Sequence, residues 1–140
     1  MLIKQLSIFI ENRLGRLAEV TDVIAKNDVN LHALVIADTE KYGVLRIIVD
    51  DPDGVERRLK DAGLTVAVTS VISVKIDDVP GGLSGALKIL AENRISIEYM
   101  YSVNDNVGGS AYVVMRVDND FAAQEVLKAA GYVGFESIGK

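Results

Sequence analysis

Two stretches, NRLGRLAEV at Asn12 to Val20 and DDVPGGLSGAL at Asp77 to Leu87, each set glycine between an alternating apolar run and a helical one. Aligning Gly15 with Gly81 brings Leu17 onto Leu83, Ala25 onto Ala91, Asn27 onto Asn93 and Gly43 onto Gly109, all at an offset of 66 residues. Farther on, LKDAGL at Leu59 to Leu64 matches LKAAGY at Leu127 to Tyr132, where the offset has grown to 68. A chain that repeats its turns in the same order is built from two copies of one supersecondary unit.

Each copy reads the same way. KQLSIFI (Lys4 to Ile10) alternates and predicts a strand; Arg16 to Lys26 predicts a helix with Leu17, Val20 and Ile24 on one face and Glu19, Asp22 and Lys26 outside. NLHALVIA (Asn30 to Ala37) and GVLRIIV (Gly43 to Val49) are β-rich runs around a turn at DTEKY. Asp51 is a good N-cap with Pro52 at the first helical position, Val55, Leu59 and Ala62 form the inward stripe, and Gly63 ends that helix. LTVAV closes the unit as βαββαβ. The second copy repeats the order: VISVKI, a helix from Leu83 with Leu87, Leu90 and Ala91 inward, then ISIEYMYSV and SAYVVMRV. A last helix carries Phe121, Val126, Leu127 and Ala130, and a short strand is predicted near Val133 to Ile138. The fold class is α+β: two ferredoxin-like units with antiparallel sheets and helices on one face, divided as residues 1–70 and 71–140. From Leu64 to Ile76 the alternation continues without glycine or proline. That predicts no linker but one strand of about 40 Å at ~3.3 Å per residue, the alternative being a bend near Ser70.

Composition narrows the function. Of 140 residues, 49% are hydrophobic and 25% charged, which describes a compact globular chain. With no cysteine and only His32 as histidine, disulfides, thiolate chemistry and a multi-histidine metal site are excluded, and no metal or cofactor is expected. The net charge of −5, spread along the chain, opposes nucleic-acid binding. No apolar run approaches the roughly 20 residues a membrane span needs, and the N-terminus lacks a cleavable apolar leader. Cytoplasmic placement without membrane association is the expectation.

The glycine loops carry the candidate chemistry. The first backbone N–H groups of a helix have no intrahelical partner, and the helix dipole leaves partial positive charge there. A carboxylate or phosphate is therefore favoured at such an entrance. Gly15, Gly81 and Gly82 clear side chains from it, and Pro80 stiffens the approach. A purely structural strand-to-helix turn is the plainer reading, and duplication copies a structural turn as faithfully as a binding one.

With βαββαβ order and these two loops, the chain resembles a tandem pair of ACT domains, small regulatory modules that commonly bind amino acids. The second loop is the nearer match, with Asp78, Pro80, Gly81 or Gly82, and Leu83 in the family's acidic-proline-glycine-leucine pattern; the first departs from it, with Leu14 at the proline position and Arg13 and Arg16 flanking Gly15. The resemblance implies ligand sites where the glycine loop of one domain meets the second strand of its neighbour. One would join Asn12, Arg13, Leu14, Gly15, Arg16 and Leu17 with Ile97, Glu98, Tyr99, Met100 and Tyr101. The other would join Asp78, Val79, Pro80, Gly81, Gly82 and Leu83 with Asn30, Leu31, His32 and Leu34. Loop amides would take the ligand carboxylate and an acceptor such as Glu98 its ammonium. Arg13 and Arg16 would strengthen the first site. The resemblance also implies a homodimer.

Three other functions compete with this one. Gly82-Leu83-Ser84-Gly85-Ala86 approaches the G-x-S-x-G nucleophile elbow, but alanine ends it and the only histidine lies upstream, so no catalytic residue is assigned and no enzyme is expected. GLSG formally fits a KH loop, yet SAYVVMRV lacks the stacking aromatics and basic residues of an RNA-binding sheet. A ligand-free assembly or protein-interaction module, pairing through strand edges, is the remaining alternative. The favoured reading is a regulatory protein that senses a free amino acid and transmits it through assembly or contact with a regulated protein partner.

Overall fold

The computed structural model describes residues 1–38, 41–104 and 110–135. Its elements run β1 (Leu2–Glu11), α1 (Arg16–Lys26), β2 (Leu31–Asp38), β3 (Tyr42–Val49), α2 (Pro52–Asp61), β4 (Thr65–Asp77), α3 (Gly82–Glu92), β5 (Ile97–Asn104), β6 (Ser110–Val117) and α4 (Asp120–Ala129). The first copy runs βαββαβ, and the second, starting from the shared β4, repeats that order as far as α4, with antiparallel strand pairs. Part of the DTEKY turn, Gly109 and the end of the strand expected near Val133 to Ile138 lie outside the described residues. Among the described residues no helix is long and apolar enough to cross a membrane.

In the first compact unit, Lys4–Thr69, the strand order is β2-β3-β1-β4. Leu6, Ile8 and Ile10 of β1 and Leu45, Ile47 and Val49 of β3 bury one sheet face against Val20 and Ile24 of α1 and Val55 and Leu59 of α2. Each such side chain contributes about 1.5–3 kcal/mol on leaving water. Asp51 caps α2, its carboxylate accepting from the Gly54 amide at 3.3 Å. Ala62 is exposed, against expectation, because α2 stops at Asp61 and Ala62 serves as its C-cap. Leu17 is 40% exposed although it lies on the stripe with Val20 and Ile24.

The second unit joins Met1–Ile3 to the residues from Ser70 onward, with strand order β4-β6-β5. Ile72, Val74 and Ile76 pack against Ala86 and Leu90 of α3 and Ala123 and Leu127 of α4, and Met1 and Leu2 pack on the same cluster. The inward stripe of α3 thus centres on Ala86 and Leu90; Leu87 is half-buried and Ala91 is exposed. Phe121 stands out to solvent at 64% exposure, since it lies two residues, or about 200° of helix, from Ala123. Ala130 is the exposed C-cap.

β4 is one unbroken strand of 13 residues, with no break at Ser70. The expected last strand of the second unit does not form over Val133–Phe135. Those residues instead hold to β4 by two bonds, Lys75 N–H to the Val133 carbonyl at 2.7 Å and Phe135 N–H to Ser73 Oγ at 2.9 Å. Phe135 stacks on Tyr112 with ring centroids 4.2 Å apart. The buried Ser73 also donates its backbone N–H (2.9 Å) and its hydroxyl (3.2 Å) to the Met1 carbonyl.

Candidate functional site

The two glycine loops are the same structure built twice. Gly15 takes φ 82°, ψ −8° and Gly81 φ 87°, ψ −8°, each at the N-cap of its helix, in the left-handed region that glycine adopts without a Cβ penalty. Arg13 N–H donates to the Glu11 carbonyl at 2.9 Å, as Val79 N–H does to Asp77 at 2.8 Å. Arg16 N–H reaches the Arg13 carbonyl at 3.2 Å and Gly82 N–H the Val79 carbonyl at 3.0 Å. No side chain caps either helix, so beyond Arg16 N–H and Gly82 N–H, which the turn itself takes up, the next opening amides have no side-chain acceptor.

Within the first unit the loop meets its own sheet. A cleft of about 230 Å³ is lined by Ile10, Glu11, Asn12, Arg13 and Leu17 together with Ile36, Asp38 and Gly43. Three aliphatic side chains form its apolar wall. Leu17 is exposed because it borders this cleft, and Ile36, at 45% exposure, faces it from β2. A Cβ on Gly43 would come within 3.2 Å of Ile10 Cγ1 and 3.6 Å of Ile36 Cδ1, so glycine keeps the floor between them open. Asp38 brings a carboxylate that none of the described residues pairs.

The arginines expected to bind an anion are already engaged. Arg13 holds Glu19 through both terminal nitrogens, at 2.9 and 3.3 Å, and Glu11 through Nε at 3.1 Å. Arg16 Nη1 adds a third bond to Glu19 at 3.2 Å. Hydrogen bonds to Glu19 and then Glu11 hold the Arg13 guanidinium above its ordinary pKa, and bonds from Arg13 and then Arg16 hold the Glu19 carboxyl below its own. Arg16 Nε is buried without a hydrogen-bond partner among the described residues. Leu14, at the proline position, is fully exposed.

The other residues named from sequence lie as follows. Asp78, Val79 and Pro80 form the exposed turn of the second loop, with Leu83 half-buried on α3. Asn30 immediately precedes β2, Leu31 opens it, and Leu34 is 59% exposed on it. His32 Nε2 comes 3.0 Å from Asp50 Oδ2 but off the hydrogen-bonding direction. On β5, Glu98 pairs with Arg116 at 3.5 Å, Ile97 and Tyr99 are half-buried, Met100 is exposed and Tyr101 is buried. Sequence reasoning missed Ile10, Glu11, Ile36, Asp38 and Gly43. Only Gly43, through its place in the repeat, carried any signal.

A family model described as an ACT domain pair matches residues 1–136, both glycine loops included. The chain belongs to the ACT domain pair family. Among solved structures this ACT pair is similar to a protein from Bacteroides thetaiotaomicron, with 44% identity over 96% of this chain and 93% of that one and a TM-score of 0.88. It is also similar to the regulatory subunit of aspartate kinase from Thermus thermophilus (13% identity, 92% and 93% coverage, TM-score 0.63) and to that from Thermus flavus (12%, 93% and 95%, 0.59). At those identities the likeness is one of fold. No protein of curated function matches the chain.

Proposed function

We propose that this ACT pair is a non-catalytic regulatory protein that binds a free amino acid at the cleft of its first glycine loop. The carrying observation is the composition of that cleft: helix-entrance amides without a side-chain cap, an Asp38 carboxylate that none of the described residues pairs, and an aliphatic wall of Ile10, Leu17 and Ile36. These are the three complements of an α-amino acid: donors for its carboxylate, an acceptor for its ammonium, and apolar surface for a side chain. The wall favours an aliphatic side chain over a charged one. The regulatory role is supported by family membership and by relatives of this fold that are regulatory subunits of aspartate kinase.

Transmission follows from differential binding. A ligand changes assembly or partner contact only by as much as it prefers one state over another. The edge strand β2, with Leu34 and Ile36 exposed, is surface suited to pairing with a second copy, and it favours the second reading, a homodimerising interaction module without a ligand. A thermal-shift panel of the common amino acids separates the two. Selective stabilisation by one or a few aliphatic amino acids, reduced about tenfold in apparent affinity by Asp38→Asn, is the expected result. No shift with any amino acid at millimolar concentration would leave the assembly module.

A further inference from the structure

The two glycine loops share a backbone but differ in what surrounds it. Position for position, Arg13, Arg16 and Glu19 of the first correspond to Val79, Gly82 and Gly85 of the second. In the first unit a carboxylate, that of Glu19, lies clamped by two guanidiniums. In the second unit no side chain grows from either glycine position, and a cleft of about 340 Å³ opens there, lined by Lys75, Asp77, Gly82, Gly85, Tyr132 and Val133 among others. Its volume lies at the small end of the range of ligand pockets. Of the loop residues that the family resemblance assigns to an amino acid, Gly81 and Gly82 line it and Asp78, Val79, Pro80 and Leu83 do not; the rest of its wall comes from β4, α3 and the segment after α4.

The side chains at this cleft are uncommitted. A Cβ on Gly85 would stand 3.1 Å from the Tyr132 hydroxyl, so the phenol reaches the place where the side chain of residue 85 would begin. Neither that hydroxyl nor the Lys75 ammonium has a partner among the described residues. We propose that this cleft is a second binding site, for a small carboxylate, whose carboxyl group takes the part that the Glu19 side chain plays in the first unit. Lys75 and Tyr132 donate to it in place of the two arginines. Asp77, also at the cleft, provides an acceptor for a hydroxyl or ammonium on the same ligand. The site stands on different residues from the amino-acid cleft of the first unit and does not depend on it.

The test is an amide chemical-shift titration of the full chain with acetate, glycolate and glycine at up to tens of millimolar. Saturable shifts at Lys75, Gly82, Gly85 and Tyr132 are expected. They should vanish in Gly85→Glu, which supplies the carboxylate from within as Glu19 does, and weaken about tenfold in Lys75→Met or Tyr132→Phe. Asp38→Asn, in the other cleft, should leave them unchanged. Preference for glycine identifies an amino acid read through Asp77, preference for glycolate a hydroxy acid, and equal binding a plain carboxylate; each supports the site. Absence of saturable shifts with all three probes overturns it, as do shifts that survive in folded Gly85→Glu. If that variant does not fold, unchanged affinity in both Lys75→Met and Tyr132→Phe overturns it.

Discussion

Gly15 and Gly81 show at the scale of one residue what the sequence could and could not tell. Both were legible as backbone requirements, and both occupy left-handed conformations at a helix N-cap. Gly15→Ala should therefore cost about 1 kcal/mol or more by denaturant unfolding, although open space surrounds the position. Arg13 and Arg16 were legible as charges beside a glycine, but not as charges already spent. Their engagement depends on Glu19, one helical turn into α1, reaching back to the loop. Because Glu19 titrates below its ordinary 4.5, the cluster favours the fold above that value and loses this contribution as pH falls through the lowered pKa. The pair is exposed, so the effect is small and falls with salt. Glu19→Gln should lower stability slightly near neutrality at low ionic strength, flatten the acid side of the profile, and leave stability unchanged once the pH is below the lowered pKa.

Among the elements, helices and strands were legible wherever hydrophobic period and caps agreed. Arg16–Lys26 and the Asp51-capped α2 are such cases. Inward faces were less legible at helix ends, where period alone cannot say which residues remain under the cover of the sheet. Leu127 and Phe121 of α4 make the contrast measurable: Leu127→Ala should cost about 2–5 kcal/mol, whereas Phe121→Ser should change stability by less than about 0.5 kcal/mol. Leu17 is the instructive miss. Its periodicity is that of a core residue, but the neighbouring β2 and β3 leave a cleft there, and no local pattern encodes which strands curve away from a helix start. Asp38 was invisible for the same reason, being brought to the loop by strand pairing through Gly43.

For the whole molecule, the repeat fixes the architecture, and the exceptions fall where the copies differ. The second copy does not form its last strand over Val133–Phe135, and Met1 and Leu2 fill part of that role. Leu2 N–H reaches Gln124 Oε1 at 3.1 Å, and Ser73 binds both Met1 and Phe135. Residues at the start of the first strand thus complete the second unit, which no reading by consecutive halves would anticipate. Removing Met1 and Leu2 should lower hydrogen-exchange protection in α4 and β4 from Ser73 on, while α1, β2 and β3 keep theirs. The central claim remains the first cleft, and the most direct measurement is a ¹H–¹⁵N titration of the intact protein with the amino acid that stabilises it most. Saturable shifts concentrated at Asn12–Leu17, Ile36, Asp38 and Gly43, weakened in Asp38→Asn, are the predicted result. Binding whose shifts leave those residues untouched, or that Asp38→Asn does not alter, would contradict it.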